Sequence, residues 1–311
     1  MKGVLSNMKW LKYVMRILFA CSVICMVVYI FIQIKNEDLR EPVLSCNPTE
    51  IKASIHDSQK DLLKGVTAMD PEEGDLTDSV FLEGIKKNPE GDQQEFTATY
   101  VSIDKAGNIG KTSRKLEYTD YNSPHFNIDS PLRFSKSTAI DLMSIVHADD
   151  CIDGDISAFV KVTGDDIFKE DIESGIYKCS LEVENSLGDT AVLPVSVEIY
   201  EDSYEKTAFE PQIYLKQYIL YMKKGEQLNP ADFVAYVKDG SVKQIERGSV
   251  SEGENTESQL LEKAGEWISI ADISYKSNVD TAKKGNYSVI YNYTSKETGY
   301  SGNAELIVVV E

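Results

Sequence analysis

Hydrophobic positions divide the chain into one continuous apolar segment near the N-terminus and a much longer part in which apolar and polar residues alternate. Residues 17–34 read ILFACSVICMVVYIFIQI, with no charge and a single amide, Gln33. A helix of this length rises about 27 Å, close to the roughly 30 Å hydrocarbon core of a bilayer. The pattern therefore predicts one transmembrane helix over residues 17–34.

Two cleavable export signals share parts of this pattern. A signal peptide has an apolar core of about 7–15 residues followed by small residues at the cleavage site, whereas this segment ends FIQIK over residues 31–35. The sequence LFAC at 18–21 resembles a lipoprotein signal, but the apolar run continues through Ile34, well beyond Cys21. An uncleaved anchor is therefore the favoured interpretation.

Charge is distributed unevenly on the two sides of this segment. Residues 1–37 carry five basic residues and one acidic residue, a net charge of +4, whereas the remainder carries 27 basic and 50 acidic residues, a net charge of −23. The positive-inside rule keeps residues 1–16 in the cytoplasm and exports residues 38–311. An exported part this acidic repels phosphate backbones, so we expect no nucleic-acid partner.

The exported part has the two-residue period of half-buried β-strands. Apolar and aromatic residues alternate with polar ones around 193–199, 287–294 and 304–310. Gly-Asn or Gly-Asp pairs at 107–108, 188–189 and 302–303 predict short turns between strands. No segment of ten or more residues with helical period and clear caps occurs outside the anchor, so we expect an all-β fold.

Two motifs recur about 80 residues apart. Residues 66–77, VTAMDPEEGDLT, and 146–157, VHADDCIDGDIS, are identical at five positions, and residues 96–108 parallel 177–189 at nearly the same spacing. A third, more divergent copy begins near Pro211. Repeats of this length with antiparallel strands indicate tandem β-sandwiches, each large enough for its own core.

The order of these motifs resembles that of bacterial surface-protein Ig-like domains, whose tandem copies occur on exported proteins of Gram-positive bacteria. The resemblance implies three Ig-like β-sandwich domains after the transmembrane helix. We place them at 39–119, 120–202 and 205–311, with an insertion at 241–283 in the third. The second copy departs from the motif because Asn185 and Asp189 replace Asp104 and Asn108.

Acidic residues crowd the first motif of the first two copies. Calcium binds six to eight oxygen ligands, often in Asp-rich loops around a glycine turn, although neither loop has EF-hand spacing. The alternative is that Asp70 and Asp150 cap backbone N–H groups while Gly74 and Gly154 adopt positive φ angles. The candidate calcium ligands are Asp70, Glu72, Asp75, Asp150, Asp153 and Asp155.

Catalysis has little support in the sequence. The chain has three histidines and none of the nucleophile-elbow, zincin, Walker A or dinucleotide-binding motifs. We therefore expect no enzymatic activity and no cofactor other than, as an alternative, calcium. Cys151 and Cys179 either form a disulfide or remain as thiols.

The third copy is rich in tyrosine, which either fills the sandwich core or provides a surface for sugars or proteins. Core packing is the favoured interpretation. The sequence predicts a single-pass protein of the cell membrane that acts outside the cell as a non-enzymatic adhesion, scaffold or envelope-binding module, with a carbohydrate- or calcium-binding surface module as the alternative. The extracellular protein or glycan ligand is not identified by the sequence. The tyrosines of the third copy are Tyr214, Tyr218, Tyr221, Tyr236, Tyr275, Tyr287, Tyr291, Tyr293 and Tyr300.

Overall fold

The computed structural model describes residues 2–36, 38–92, 94–169, 171–204, 209–239, 242–244, 268 and 270–311. The chain forms two compact units, Met1–Asp120 and Tyr121–Glu311. The predicted fold class is confirmed, because an N-terminal apolar helix is followed by three successive pairs of β-sheets. We call these pairs the first, second and third sandwich.

The N-terminal helix, α1, runs over Lys2–Asn36, so it begins well before the predicted segment. Its residues Trp10–Phe31 form a window of 22 residues that is long and apolar enough to cross a membrane, and none of this window is buried in the protein. A signal sequence would pass the same test of length and composition. The structure therefore confirms an apolar N-terminal helix of transmembrane length.

The first sandwich contains strands β1–β7 and one short helix. One sheet has the order β1-β3-β4, and the other has the order β2-β7-β6-β5, in which β2 runs parallel to β7. The short helix α2, Gln59–Leu62, starts at a capping box formed by Ser58 and Asp61. The strands are β1 Val43–Cys46, β2 Glu50–Ala53, β3 Val66–Asp70, β4 Gly74–Asp75, β5 Phe81–Lys87, β6 Glu95–Ile103 and β7 Ile109–Tyr118.

The alternation of β6 and β7 builds the core of this sandwich. Phe96, Ala98 and Tyr100 on β6 are fully buried, and Leu116 on β7 packs beside them. Arg114 is also buried, and its Nε donates to the Tyr100 hydroxyl at 2.9 Å while its other nitrogens donate to the backbone oxygens of Leu62 and Lys64. A cation in this core is tolerated because its donors meet oxygen acceptors.

The second sandwich repeats this arrangement. Its sheets have the orders β11-β10-β8 and β12-β13-β14-β9, and β9 runs parallel to β14. The strands are β8 His125–Ile128, β9 Arg133–Ser135, β10 Val146–Asp150, β11 Gly154–Asp155, β12 Lys161–Gly164, β13 Gly175–Glu184 and β14 Thr190–Tyr200.

The third sandwich belongs to the same compact unit as the second. Its sheets have the orders β15-β17-β18 and β16-β21-β20-β19, and β16 runs parallel to β21. Buried side chains of the second and third sandwiches form one continuous hydrophobic cluster, from Phe126 to Val310. The strands are β15 Gln212–Leu215, β16 Ile219–Met222, β17 Val234–Asp239, β18 Val242–Gln244, β19 Ser274–Ser277, β20 Gly285–Thr294 and β21 Ser301–Val310.

Two of the three predicted glycine turns are confirmed. Gly107 and Gly188 have φ angles of +92° and +79° and lie between paired strands. The predicted turn at 302–303 is wrong, because Gly302 lies within β21 opposite Tyr293. A Cβ at Gly302 would lie 1.7 Å from the Pro211 backbone oxygen, so glycine is required there by a close backbone approach rather than by a turn.

The predicted insertion at 241–283 lies only partly within the described residues. Those that are described include strands β18 and β19, which the sequence analysis did not predict; residues 245–267 lie outside the described part. No disulfide joins Cys151 and Cys179: Cys179 is buried in the second sandwich, and the Cys151 thiol donates to the Asn122 backbone oxygen at 3.1 Å.

Candidate functional site

The most distinctive polar site of the first sandwich begins at Asp70, the last residue of β3. Asp70 is only 4% exposed, and its Oδ1 accepts the backbone N–H groups of Glu72 and Glu73, both at 2.8 Å. Gly74 follows with a φ angle of +85°, which returns the chain as β4. The capping role predicted as the alternative for Asp70 and Gly74 is therefore what the loop geometry shows.

Two further aspartates converge on Asp70 from distant parts of the sequence. Asp38 lies before β1, and Asp104 follows the end of β6. Carboxylate oxygens of Asp38, Asp70 and Asp104 all lie within 4.8 Å of one another. We call this group the three-aspartate cluster.

Asn108 holds two members of the three-aspartate cluster in place. Its Nδ2 donates to Asp104 Oδ2 at 2.7 Å and to the Asp38 backbone oxygen at 3.0 Å, and its backbone N–H donates to Asp104 Oδ1 at 2.8 Å. Burial alone would raise the pKa of Asp104, but these hydrogen bonds together with those from the backbone of Ala106 and Gly107 lower it. These hydrogen bonds therefore favour the charged form of Asp104.

The other oxygen of Asp70 has no such support. Asp70 Oδ2 is buried and accepts no hydrogen bond, and a carboxylate oxygen of Asp70 lies within 4.8 Å of oxygens of Asp38 and Asp104. Arg40 is a cationic side chain beside this cluster: its Nε lies 3.7 Å from Asp38 Oδ1, and it also pairs with Glu72. A buried carboxylate oxygen without a donor beside other carboxylates is energetically unfavourable.

The second sandwich has a different chemistry at the matching position. Asp150 at the end of β10 caps Ile152 and Asp153 through Oδ1, as Asp70 does for its own loop. Its Oδ2, however, accepts a hydrogen bond from Asn185 Nδ2 at 3.0 Å, and Asn185 occupies the motif position of Asp104. The amide thus satisfies the oxygen that is left without a donor in the first sandwich.

The remaining candidate calcium ligands have other partners. Hydrogen bonds from the hydroxyls of Thr77 and Ser157, together with those from their backbone N–H groups at 2.9 Å, lower the pKa values of Asp75 and Asp155. Asp153 accepts hydrogen bonds from the backbone and the hydroxyl of Ser186. Of the six calcium ligands predicted from the sequence, only Asp70 belongs to the three-aspartate cluster.

A concave surface lies between the second and third sandwiches. It is a cleft of about 260 Å³ whose lining is mainly apolar. Ile176 of the second sandwich is 72% exposed and Ile290 of the third is 40% exposed. The lining also includes Leu132, Arg133, Glu198 and Glu305.

Arg133 at this cleft is engaged by both sandwiches. Its Nη2 lies 2.6 Å from Glu210 Oε1, its Nε lies 3.2 Å from Glu198 Oε2, and its guanidinium group lies 4.7 Å from the centre of the Tyr200 ring. Burial raises the pKa of Glu305, another lining residue, although a hydrogen bond from Ser288 partly offsets this. The cleft thus combines an apolar wall with a few charged groups, a composition typical of ligand sites.

The tyrosines of the third sandwich are divided between its core and its surface. Tyr218, Tyr291 and Tyr293 are buried, and burial raises the pKa of Tyr293 to about 12. Tyr275 and Tyr300 are 51% and 37% exposed. Core packing thus accounts for three of the predicted set, whereas the exposed Tyr275 and Tyr300 rings contact Tyr291 and Phe209.

Comparison with known proteins finds distant similarity to solved structures alone. No protein-family model and no curated protein matches the chain. Similar solved structures include the CBM51-2 and INT domains of Clostridium perfringens ZmpB in complex with GlcNAc, with 18% identity, a TM-score of 0.21 and coverage of 49% of this chain and 26% of that chain. Mouse cadherin-23 EC22-24 is 14% identical, with a TM-score of 0.21 and coverage of 88% of this chain and 99% of that chain.

A third similar structure is the protocadherin gammaB7 EC3-6 cis-dimer, with 12% identity, a TM-score of 0.20 and coverage of 87% of this chain and 74% of that chain. This chain spans about a quarter of the length of the clostridial structure. The assignment of the fold class rests on the strands and sheets of the protein itself.

Sequence reasoning missed two members of the three-aspartate cluster as ligand candidates. Asp104 stands in a repeated motif and Asp38 lies shortly after the predicted anchor, and neither position by itself indicates a metal ligand. The exchange of Asp104 for Asn185 between the two copies was a visible signal. The position of Asp38 depends on how the chain enters the first sandwich, and the pattern did not specify it.

Proposed function

We propose that this protein is anchored in a membrane by α1 and presents its sandwiches outside the cell as a non-enzymatic adhesion, scaffold or envelope-binding module. The observation that carries this proposal is the order of elements: a predominantly apolar, unburied window of 22 residues comes first, and the described chain from Val43 onward is built into sandwiches. A helical window of this composition that is not buried within the protein needs another apolar medium, and a bilayer provides one.

Orientation is part of the same proposal. The net charge is +4 before the sandwiches and −23 over the rest of the chain, so the positive-inside rule leaves the N-terminus in the cytoplasm and the sandwiches outside. The resemblance of the repeats to bacterial surface-protein Ig-like domains supports the same localisation. The acidic surface favours solubility of the exported part.

The cleft between the second and third sandwiches is the surface that we propose contacts an envelope protein or glycan. Its apolar wall includes Ile176, which is 72% exposed. Arg133 fixes the cleft by pairing with both sandwiches. A preformed concave surface reduces the conformational cost of binding.

Topology is tested by protease added to intact cells that express the full chain with different tags at the two ends. We expect loss of the C-terminal tag and protection of the N-terminal tag, which should become sensitive only when the membrane is permeabilised. Protection of the C-terminal tag in intact cells would contradict the proposed orientation. Release of the C-terminal part without protease would indicate a cleaved signal instead of an anchor.

Ligand binding is tested with the full chain in nanodiscs, exposed in parallel to solubilised envelope proteins and to a glycan array. Ile176→Asp places a charge in the cleft and should reduce retention of the bound partner at least about tenfold. Phe159→Asp is the matched control, since Phe159 is 65% exposed but does not line the cleft. Equal loss in both variants, or none in either, would exclude the cleft as the binding surface.

A further inference from the structure

We propose that the three-aspartate cluster of Asp38, Asp70 and Asp104 is a divalent-cation site whose ligand is Ca²⁺. The cluster brings three carboxylates to one place, with oxygens within 4.8 Å of one another. The sequence-based ligand set shares only Asp70 with this site, so the proposal concerns a different set of residues. It does not depend on the proposed binding function.

The unpartnered oxygen of Asp70 is an independent observation that points to a ligand. Asp70 is only 4% exposed. Its Oδ1 accepts two hydrogen bonds, whereas its Oδ2 accepts none. Buried carboxylate oxygens are normally satisfied by donors, because leaving one unsatisfied costs about 1–3 kcal/mol. A cation between the aspartates would satisfy Oδ2 and offset the repulsion among the three charges.

The second sandwich provides an internal comparison. The loop of Asp150 has the same capping geometry as that of Asp70, yet Asp150 Oδ2 accepts from Asn185 Nδ2. Where the motif supplies an amide, the matching oxygen is satisfied within the protein. Where it supplies the carboxylate of Asp104, the oxygen is left for an external cation.

The chemistry of the donors favours calcium. All three side chains supply hard oxygen ligands, which select magnesium, calcium or manganese over the softer transition metals. The donors come from three separate segments: one before β1, the end of β3 and the loop after β6. Calcium accepts irregular geometry and carboxylates in either mono- or bidentate mode, whereas magnesium requires a nearly ideal octahedron.

The neighbouring hydrogen bonds prepare this site for a cation. Asn108 directs its amide N–H groups to Asp104 Oδ2 and to the Asp38 backbone oxygen, and thereby fixes two of the three segments. Glu73, beside Asp70, accepts a hydrogen bond from the Lys105 backbone at 2.8 Å, which ties the loop of β3 to the loop after β6. Two of the ligand-bearing loops are therefore joined before any cation binds.

Isothermal titration calorimetry on the full chain in detergent micelles, after removal of metals with a chelator, tests the site. We expect saturable Ca²⁺ binding with a Kd of roughly 10⁻⁴–10⁻³ M, the range of extracellular modules. Asp70→Asn keeps the capping oxygen and should remove one bound Ca²⁺ per chain or weaken its binding at least about tenfold. Asp150→Asn, the same exchange in the second sandwich, should leave this binding unchanged.

Asp38→Ala separates the loss of a ligand from a loss of folding. Asp38 lies outside the strands, and its backbone oxygen still accepts a hydrogen bond from Asn108 in this variant. This variant should keep the circular dichroism of the wild type and lose the same Ca²⁺. Hydrogen exchange at residues 70–75 should slow with Ca²⁺ in the wild type and in Asp150→Asn only. Absence of binding by the wild type, equal Ca²⁺ binding by Asp70→Asn and the wild type, or binding of Mg²⁺ with no binding of Ca²⁺ would overturn the proposal.

Discussion

At the scale of single residues, two copies of one loop satisfy the same aspartate in different ways. Asp70 and Asp150 both cap their loops through Oδ1, as the sequence allowed because each is followed by a glycine with positive φ. Whether Oδ2 accepts a hydrogen bond depends on one difference between the copies, Asp104 in the first and Asn185 in the second. Side-chain amides and carboxylates have the same shape but opposite hydrogen-bonding roles at one of their two terminal atoms.

Asn185→Asp should destabilise the second sandwich in metal-free buffer. The exchange removes the donor to Asp150 Oδ2 and adds a negative charge beside it. We expect a loss of about 1–3 kcal/mol in the free energy of opening, measured by hydrogen exchange at the amides of β13.

Asn127→Asp is the control for that variant, because Asn127 Nδ2 also donates to a carboxylate, Asp149 Oδ2 at 2.8 Å, but at an exposed position. It should change the free energy of opening by less than about 0.5 kcal/mol. Equal effects of the two variants would show that the buried hydrogen bond to Asp150 contributes no more to stability than the exposed one to Asp149.

The ligand cluster was less predictable than the loop caps for a physical reason. Capping joins residues two or three positions apart, so local sequence reveals it. The contact among Asp38, Asp70 and Asp104 joins positions more than thirty residues apart and requires the packing of three separate segments. The pattern predicted the loops but not their convergence.

At the scale of secondary-structure elements, two glycines inside strands mark places where another backbone passes close by. A Cβ at Gly302 would meet the Pro211 oxygen at 1.7 Å, and one at Gly110 would meet the Pro42 oxygen at 1.9 Å. Both prolines stand where the chain enters its sandwich, just before β15 and β1. The sequence showed the prolines and the glycines separately but not their contact, and Gly302 was therefore misread as part of a turn.

Gly302→Ala should destabilise the third sandwich, because the entering backbone must move to accommodate the methyl group. We expect a loss of about 1–3 kcal/mol, measured by hydrogen exchange at the amides of β20 and β21. Gly84→Ala in β5 is the control, since a Cβ there meets no atom within 4 Å. That control should be neutral or slightly stabilising, and a loss in it as large as that of Gly302→Ala would contradict the steric explanation.

The short helix α2 should depend on pH through Asp61. Hydrogen bonds from Lys64 and Ser58 lower the pKa of Asp61 from 3.8 to about 2. A carboxyl group whose pKa is lower in the folded than in the unfolded protein stabilises the fold fully at pH values above its unfolded pKa. This contribution is therefore lost as the pH falls from 3.8 towards 2.

NMR spectra of the amides of Leu62 and Leu63 should therefore report fraying of α2 in that pH window. Asp61→Asn should remove this transition, because the residue no longer titrates. Asp78→Asn, in the 3₁₀ turn Thr77–Ser79, is the control and should retain it. A transition that persists in Asp61→Asn would assign the fraying to another carboxyl group.

At the scale of the whole molecule, the sequence predicted the apolar helix and the all-β fold, because both follow from the period of hydrophobic positions. It did not predict that buried residues of the second and third sandwiches would form a single cluster. Contacts between the two sandwiches, such as the hydrogen bond from the Phe126 backbone N–H to the Tyr221 hydroxyl at 2.8 Å, do not follow from the hydrophobic period of any one strand. The boundaries at 39–119, 120–202 and 205–311 remain predictions.

Arg133→Met should weaken the junction between the second and third sandwiches. It leaves Glu198 and Glu210 without their shared cation, and Glu210 has a side chain that is only 11% exposed. We expect a loss of about 1–3 kcal/mol, seen in calorimetry of the full chain as an earlier transition of the third sandwich. Lys136→Met, which removes an exposed pair with Glu173, should shift no transition measurably, and a similar shift in both variants would contradict the role of Arg133 at the junction.

The parallel pairing near the entrance of each sandwich has a mechanical consequence. β2 runs parallel to β7, β9 to β14 and β16 to β21, so a strand near the start of each sandwich is bonded along its final strand. Tension applied to the two ends of such a sandwich pulls these strands in opposite directions along their length. Their hydrogen bonds must then yield together in shear rather than one after another, which raises the force that each sandwich can transmit before it unravels.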